Sequence, residues 1–330
     1  MQEIAIGVSV IICCYNSALK IKPTLEHLAL QKRNTNLPFE IILVNNNSTD
    51  NTVEKAIGIW LKLGQPFPLV VKEENRPGLN NARLKGIETA NYAYLIFCDD
   101  DNSFCDDYLI NVKSIFESMN EVAMIGGVGE AVIEVNKPDW FLEANGIGYA
   151  VGTENRNTGY ANSVYGAGMA IRKSFFWYLQ NENIKFLLTD RVKNTLSSGG
   201  DTELCTLVNC SGKKIWFDER LTFKHHLDFG RINWQYYLRL RASFGKANAF
   251  LRLYEEDYSQ KNILNAFKDL AKFTIRYPHL IFFAKWNLSI KYADAIQRYY
   301  FLQTNFLQHN KLKEMLPIAL ANKKFMQLLK

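Results

Sequence analysis

Three consecutive aspartates, Asp99 to Asp101, directly follow an apolar segment, and their spacing points to metal chemistry. Adjacent carboxylates repel one another, and a divalent cation with oxygen ligands relieves that repulsion. Mg²⁺ or Mn²⁺ bound to a diphosphate is the natural occupant of such a group. A solvated acidic turn with an aspartate cap on the next helix explains the triplet equally well. The triplet alone leaves both interpretations open.

The segments around the triplet alternate between strand-like and helix-like patterns. Such alternation predicts an α/β fold with a mostly parallel central sheet flanked by helices. Because the carboxyl ends of parallel strands meet at one edge, the polar residues that follow them are expected to share one crevice. The predicted strands lie at 8–14, 40–44, 68–72 and 92–98, and the predicted helices at 19–30, 52–63 and 81–90.

The chain changes character near residue 230. Residues 1–230 are predicted to form the nucleotide-binding domain, and residues 231–330, where glycine is nearly absent, a helical C-terminal extension. This extension holds 17 Lys and Arg against 6 Asp and Glu, a net charge of +11. A basic segment suits nucleic acid or an anionic membrane face. Its apolar and aromatic clusters favour packing or interfacial helices, so no nucleic-acid partner is expected.

The cysteines and the N-terminus exclude several classes of protein. The six cysteines contain no C-x-x-C pair and lie in apolar or mixed segments, so neither a disulfide framework nor a zinc site is expected. The N-terminal residues show neither a signal-peptide pattern nor a spanning helix. We therefore expect a cytoplasmic protein.

Several motifs, taken in order, resemble family 2 glycosyltransferases of the GT-A fold. The resemblance implies an inverting, metal-dependent enzyme that moves a sugar from a nucleotide-sugar to a glycan or lipid-linked glycan in cell-surface polysaccharide biosynthesis. It also implies Mn²⁺ or Mg²⁺ as cofactor and favours a UDP-sugar as donor. The motifs span roughly the first 230 residues and lie at 8–16, 42–50, 75–83, 97–102, 164–172, 198–204 and 223–226.

The resemblance assigns the donor nucleotide-sugar to a set of residues in the first four motifs. They are Cys13, Tyr15, Asn16, Asn46, Arg76, Arg83, Asp99 and Asp100. Where the family commonly has aspartates that read the uracil edge, this chain has Asn45 and Asn46, so the identity of the base stays open. Arg76 and Arg83 offer forked donors to the diphosphate, with a solvated helix position as the alternative for Arg83.

The same resemblance implies the metal ligands and the general base. Asp101 is the implied metal ligand, and His225, preferred over the histidine that follows it, completes the metal shell or contacts the phosphates. Asp201 is the implied general base for the acceptor hydroxyl, which predicts inversion. The family usually has an acid where this chain has Gly200. The alternative for Asp201 is that it only caps a helix, and Glu203 is then the substitute candidate for the general base.

The acceptor site and the C-terminal helices are the remaining expectations. Acceptor contacts are expected at Trp140, Gly168, Met169 and Glu203. Aromatic faces stack on sugar rings, although Trp140 suits a core position equally well. The basic helices either cap the catalytic domain or dock peripherally on the inner membrane leaflet, where a lipid-linked acceptor would lie.

Two other functions compete with this one. A sugar nucleotidyltransferase also uses acidic metal ligands on an α/β domain, but its glycine-rich phosphate loop is missing from residues 13–17. A catalytically degenerate module that binds nucleotide-sugar or glycan is the main alternative, because Asn46 and Gly200 depart from the family pattern. Retention of the triplet and of Asp201 favours a working enzyme.

Overall fold

The computed structural model describes residues 4–31, 37–133, 136–144, 146, 148–188, 198–255 and 262–328. The chain forms two compact units. The first comprises Met1–Val132, Ala150–Ile184 and Lys213–His226, and the second comprises Ile133–Tyr149, Lys185–Gly212 and Leu227–Lys330. This division differs from the predicted boundary at residue 230, because two earlier segments pack with the C-terminal helices.

One sheet organises the first unit, and nine strands of the described residues belong to it. They are β1 (Ala5–Cys14), β2 (Phe39–Asn45), β3 (Leu69–Glu73), β4 (Tyr92–Asp99), β5 (Asn102–Phe104), β6 (Val122–Val132), β7 (Gly159–Ala161), β8 (Ala170–Arg172) and β9 (Lys214–His226). Their order is β3-β2-β1-β4-β8-β6-β9-β5, with β7 paired to β9. The first four strands run parallel to one another, whereas β8 is antiparallel to β4 and β6, and β5 is antiparallel to β9.

Helices cover both faces of this sheet. The helices of the first unit are α1 (Ile21–Ala29), α2 (Thr52–Lys62), α3 (Leu79–Thr89), α4 (Tyr108–Ser118) and α6 (Lys173–Asn181). Val10 and Ile12 of β1 belong to a core cluster with side chains of α1 and α4. On the other face Ile11 lies against Gly86 of α3, where an added Cβ would come within 2.3 Å of its Cγ2. A continuous β-branched run is what a strand buried on both faces requires.

The second unit is helical. It contains α5 (Asp139–Glu143), α7 (Gly200–Cys210), α8 (Trp234–Leu251), α9 (Ile263–Arg276), α10 (Pro278–Phe282), α11 (Ile290–Leu307) and α12 (His309–Gln327), with 3-10 helices at Phe229–Arg231 and Arg252–Tyr254. Trp140 of α5 lies against Trp234 and Tyr237 of α8, with ring centroids 5.5 and 5.1 Å away. This aromatic contact ties an early segment to the C-terminal helices. In the part of the chain that the structure describes, no helix is long and apolar enough to cross a membrane.

Candidate active site

The ends of the four parallel strands meet at one edge of the sheet. Cys13 lies opposite Asp99 of β4, and Cys14 lies opposite Asn45 of β2. Asn45 in turn lies opposite Glu73 at the end of β3. The predicted convergence of the polar segments is confirmed, because every one of these residues is the last or second-last of its strand.

Side-chain hydrogen bonds tie together the loops that follow β1 and β2. The Asn16 side-chain oxygen accepts from the Thr49 backbone amide at 2.8 Å, and the Asn16 backbone amide donates to Ser48 Oγ at 3.0 Å. One residue later the Ser17 amide donates to Thr52 Oγ1 at 2.8 Å. Asn16 therefore shapes the rim of the crevice, and its predicted contact with the donor stays a prediction.

Tyr15 and Cys13 keep access to solvent at this edge. The Tyr15 side chain is 43% exposed, which leaves its ring face available for stacking. Cys13 is half-buried. Contact of either residue with a nucleotide stays a prediction.

Asn46 is buried, and its side-chain amide forms hydrogen bonds with the backbone of the loop before α3. Its Nδ2 donates to the carbonyl oxygens of Glu74 and Arg76 at 2.9 and 2.8 Å, and its Oδ1 accepts from the Gly78 amide at 2.8 Å. Both amide hydrogens are thus occupied. These hydrogen bonds do not fit the prediction that Asn46 binds the edge of the nucleotide base. In this structure Asn46 determines the conformation of residues 74–78.

The two predicted diphosphate-binding arginines have different surroundings. The Arg76 guanidinium forms a forked pair with Glu74, through Nε and Nη2 at 2.9 Å each, and these bonds lower the pKa of Glu74 to about 2. The Arg76 side chain is nonetheless 68% exposed. The Arg83 guanidinium carbon lies 5.2 Å from the Phe97 ring centroid. Phosphate contact by either arginine stays a prediction.

The middle aspartate of the triplet, Asp100, is buried against the loop after β1. Its carboxylate accepts from the Ser17 hydroxyl and pairs with Lys20 Nζ at 2.8 Å. Burial raises the pKa of Asp100 to about 6, although Lys20 acts in the opposite direction. Ser17 and Lys20 were not among the predicted residues. The sequence signal that could have indicated them is a hydroxyl and a positively charged side chain in the loop after β1, the strand next to β4. In this structure Asp100 fixes that loop.

The last aspartate, Asp101, lies beside His225, the other residue of the predicted metal site, and metal binding by the two stays a prediction. Both side chains are buried, and Asp101 Oδ1 lies 3.3 Å from His225 Nε2. The β5–β9 ladder creates this proximity, because it pairs Asn102 with His225, and the His226 amide donates to the Asp101 carbonyl at 2.8 Å. The His226 ring is 2.9 Å from Ser103 Oγ instead.

The chemistry of this pair fits a cation that is shared with a diphosphate. Mg²⁺-type sites commonly take one or two protein ligands and complete the shell with phosphate oxygens and water. Within the described residues no group of three or more His, Cys, Asp or Glu side chains is arranged to hold a metal alone. Next to the pair, the side-chain oxygen and nitrogen of buried Asn102 have no hydrogen-bond partner among the residues that the structure describes, which suits the polar shell of a hydrated cation.

Asp201 and Glu203 lie in the first turn of α7, in the second unit. The Asp201 side chain is partly exposed, and its Oδ1 accepts from the Thr202 amide at 2.8 Å. Glu203 is fully buried and accepts from the amides of Leu187 and Leu188 at 2.7 and 2.9 Å, and from the Tyr254 hydroxyl at 2.7 Å. Glu203 therefore organises the unit, and its burial contradicts both the substitute-base and the acceptor-contact predictions.

The other predicted acceptor residues are also core positions. Trp140 is 4% exposed within the aromatic cluster, and Met169 is fully buried. The Gly168 carbonyl accepts from the Tyr108 hydroxyl at 2.6 Å, and the residue has a φ of 71°. Direct contact of Trp140 or Met169 with an acceptor does not fit this burial, since a core side chain has no face left for a sugar.

The family assignment follows from the part of the sequence that forms most strands of the sheet. Residues 9–179, just over half of the chain, match the family model described as glycosyl transferase family 2. The chain belongs to this family. The predicted glycosyltransferase assignment is thereby confirmed, and this glycosyltransferase domain contains the parallel strands and the aspartate triplet.

Curated relatives match this glycosyltransferase over a short segment. The poly-beta-1,6-N-acetyl-D-glucosamine synthase of Staphylococcus aureus (strain COL) is 36% identical over 95 residues, which is 29% of this chain and 22% of that protein. The synthase of the same name from Staphylococcus epidermidis is 36% identical over 102 residues, 31% of this chain and 23% of that protein. The chain thus matches less than a quarter of the length of these relatives.

Solved structures share the fold of this glycosyltransferase. S. aureus TarS 1-349 in complex with UDP-GlcNAc is 14% identical and has a TM-score of 0.50, with 92% of each chain covered. GalNAc-T7 with UDP, GalNAc and Mn²⁺ is 14% identical with a TM-score of 0.51, over 77% of this chain and 51% of that one. At this identity the likeness concerns the fold, and it confirms the predicted GT-A architecture.

Proposed function

We propose that this chain is an inverting, metal-dependent glycosyltransferase that transfers a sugar from a UDP-sugar to a glycan or lipid-linked glycan acceptor in cell-surface polysaccharide biosynthesis. The observation that carries the proposal is the buried Asp101–His225 pair, 3.3 Å apart at the crevice edge of a family 2 domain. A module that binds only glycan has no diphosphate for a cation at this pair to neutralise.

The names of the similar proteins support the choice of donor and product. The curated relatives are poly-N-acetylglucosamine synthases, and the TarS structure contains UDP-GlcNAc. GalNAc-T7 was solved with UDP and Mn²⁺. UDP-GlcNAc is therefore the first donor to test, with Mn²⁺ as the first metal.

The mechanism assigns separate tasks to the acidic groups. Asp101 and His225 would hold the cation, which when bound neutralises the diphosphate charge that develops as the sugar bond breaks. Asp100, held by Ser17 and Lys20, fixes the loop that follows β1. Asp201 accepts the proton of the acceptor hydroxyl during direct displacement at the anomeric carbon. A single displacement inverts that centre.

Metal-dependent binding of the donor tests the first part of this proposal. We would measure equilibrium binding of UDP-, GDP-, dTDP- and CMP-sugars with and without Mn²⁺. Asp101→Ala is expected to weaken Mn²⁺-dependent UDP-sugar binding by at least about tenfold, because a direct ligand is lost. Asp106→Ala is the matched control, since Asp106 is exposed and outside the triplet. Equal binding by the two variants would contradict the metal site, and no binding of any donor would favour a glycan-binding module.

The proposal also includes peripheral association with an anionic inner leaflet, through α9, α10 and the residues after α10. No described residue of α9 is buried. Large apolar side chains such as Phe282 and Trp286 are each 69% exposed, and Lys272, Arg276 and Lys285 lie among them in sequence. Exposed aromatics beside cations are typical of interfacial helices, where apolar burial and attraction to anionic lipid act together.

Vesicle flotation tests this association. Phosphatidylglycerol vesicles are expected to bind the protein and phosphatidylcholine vesicles to bind it weakly. Phe282→Ser with Trp286→Ser should abolish flotation, whereas Leu307→Ser, a change at another exposed apolar residue (67% exposed, on α11), should retain it. Flotation that is unchanged in the double variant, or absent in the wild type, would exclude this surface.

A further inference from the structure

A chain of hydrogen bonds links helix α12 to helix α7 inside the second unit. Asn322 Nδ2 of α12 donates to the Tyr254 hydroxyl oxygen at 3.1 Å, and the Tyr254 hydroxyl donates to Glu203 Oε1 of α7 at 2.7 Å. All three side chains are buried. The chain has a fixed direction, because the tyrosine hydroxyl gives its one hydrogen to the carboxylate and still has a lone pair for the amide. We name this chain the α12 link.

The α12 link also holds the segment that precedes α7. Glu203 Oε1 accepts from the backbone amide of Leu187 at 2.7 Å, and Glu203 Oε2 accepts from that of Leu188 at 2.9 Å. At the other end of the link, Asn322 Nδ2 donates to the Lys185 carbonyl oxygen at 2.8 Å, and Asn322 Oδ1 accepts from the Lys185 amide at 3.4 Å. The two end members of the link therefore fasten residues 185–188 to both α7 and α12.

The Glu203 carboxyl group depends on these donors. Burial raises the pKa of Glu203, and the hydrogen bonds from the two leucine amides and from the Tyr254 hydroxyl lower it. Burial and the neighbouring Glu203 carboxylate raise the pKa of Tyr254, so the tyrosine keeps its hydrogen and remains a donor. A carboxylate that loses a donor in the protein interior cannot recover it from solvent. Removal of the Tyr254 hydroxyl should therefore loosen Glu203 directly.

The anchored Glu203 sets the orientation of the first turn of α7, which also carries Asp201. With 3.6 residues in each turn of a helix, side chains two positions apart point about 200° apart, to nearly opposite sides. Glu203 points into the core of the unit, and Asp201 is partly exposed. The N-cap residue of α7 is Gly199, with a φ of 108°, and it has no side chain that could cap the helix. The hydrogen bonds of Glu203 therefore fix the rotation of this turn and the direction in which Asp201 points.

We propose that Tyr254 and Asn322 are positioning residues for sugar transfer. Acting through Glu203, they hold Asp201 within reach of the acceptor hydroxyl. The role of Asp201 as general base rests on the proposed transferase function, whereas the anchoring of α7 rests on the α12 link itself. A general base works only within hydrogen-bond reach of the proton that it takes, and a displacement of about 1 Å costs up to about a hundredfold in rate. Helix α12, which is far from α7 in sequence, thereby contributes to catalysis.

Hydrogen exchange followed by mass spectrometry, on the full chain without donor, tests the anchoring. Tyr254→Phe should speed exchange about fivefold in the peptides that contain Leu187, Leu188 and the first turn of α7, which is roughly the effect of one lost hydrogen bond. Tyr237→Phe is the matched control. It removes the same atom from another buried tyrosine of the second unit, whose hydroxyl accepts from Arg241 at 2.8 Å, and exchange in these peptides should stay as in the wild type.

Steady-state kinetics with UDP-GlcNAc, Mn²⁺ and chitotetraose as the acceptor probe test the consequence for catalysis. Tyr254→Phe and Asn322→Ala are each expected to lower kcat about ten- to a hundredfold, while the affinity for UDP-GlcNAc stays within about twofold of the wild type. In an Asp201→Asn background, Tyr254→Phe should lower kcat no further, because no base is left to be positioned. A merely structural loss would lower kcat in both backgrounds.

The outcomes separate this inference from the transferase function. Exchange that is equally fast in Tyr254→Phe and Tyr237→Phe would overturn the anchoring. A wild-type kcat in Tyr254→Phe, or an equal loss of kcat with and without Asp201, would overturn the positioning role. A protein that shows the expected exchange but binds no nucleotide-sugar would keep the α12 link, and it would refute the transferase and with it the positioning of a base.

Discussion

Replacement of Asn46 by aspartate is the change that most sharply distinguishes a loop-building residue from a base-reading one. In the structure Asn46 Nδ2 donates to two carbonyl oxygens, of Glu74 and Arg76, at 2.9 and 2.8 Å. The aspartate side chain of the Asn46→Asp variant would lose both donors and direct a buried carboxylate oxygen at those carbonyls. The bond from the Gly78 amide to Oδ1, 2.8 Å long, would survive.

The magnitude follows from the lost bonds. Each lost hydrogen bond costs about 1 kcal/mol, and a buried carbonyl left without a donor adds to this, so Asn46→Asp should lower the free energy of unfolding by about 3 kcal/mol at pH 7.5. For a unit of this size that corresponds to a fall in Tm of about 6 to 12 °C. The new carboxyl would have a raised pKa, because burial and the facing carbonyls disfavour its charge. The penalty should therefore shrink as the pH falls through that pKa, since the protonated acid regains one donor.

Urea unfolding followed by circular dichroism at pH 7.5 and pH 5 measures this effect. Asn45→Asp is the control: the Asn45 side chain donates to Glu73 Oε2 at 2.8 Å in an exposed position, and its replacement should cost less than about 1 kcal/mol. An Asn46→Asp variant as stable as the wild type, with tighter UDP binding, would refute the reasoning. The side chain would then face the donor base.

Three further changes test other parts of the structure. Glu203→Gln should lower the free energy of unfolding by about 2 kcal/mol in a denaturant titration, because an amide cannot accept from all three of its donors; unchanged stability would contradict its role in the core. Since the pKa of Asp100 is raised to about 6, the stability of the metal-free protein should fall as the pH rises from about 4 to about 6, and Asp100→Asn should remove that part of the slope. Gly86→Ala should destabilise the protein by about 1 to 3 kcal/mol, because the added Cβ would lie 2.3 Å from the Ile11 side chain. Gly58→Ala is the control and should be neutral or stabilising, because no atom lies within 4 Å of its added Cβ. Equal effects of the two changes in thermal unfolding would refute the close packing of α3 on β1.

The sheet was predictable because its signals are local. Each of the first four strands is a run of apolar residues that ends in a polar cluster, and the observed bounds agree with the predicted ones to within three residues. The edge at which Cys14, Asn45 and Asp99 meet follows from the parallel arrangement alone. The family motifs added the pairing of Asp101 with His225, which are distant in sequence.

The use of individual side chains was not predictable because it depends on loops that tertiary structure brings together. Asn46 matched a base-reading position in the sequence, but β2 and the loop after β3 place the carbonyls of Glu74 and Arg76 next to its side-chain amide. Consecutive aspartates point in different directions, so Asp100 reaches Lys20 while Asp101 reaches His225. Sequence spacing alone cannot assign these separate partners.

The division into units was missed for a related reason. Residues 133–149 and 185–212 precede the change in composition near residue 230, yet they belong to the second unit. Trp140 stacks on aromatic rings of α8, and Glu203 accepts from Tyr254. Such long-range contacts leave no periodic pattern in the sequence. The sequence around Glu203 is also the same whether its side chain is buried in the core or exposed near the proposed general base.

Acceptor-dependent turnover of UDP-GlcNAc with Mn²⁺, measured together with donor binding in the wild type, Asp101→Ala and Asp201→Asn, tests the central claim most directly. We predict that Asp101→Ala loses metal-dependent binding. Asp201→Asn should keep binding while kcat falls by roughly a thousandfold, as expected when a general base is removed. Turnover that survives in Asp201→Asn, or donor binding that is indifferent to both Mn²⁺ and Asp101, would contradict the proposed mechanism.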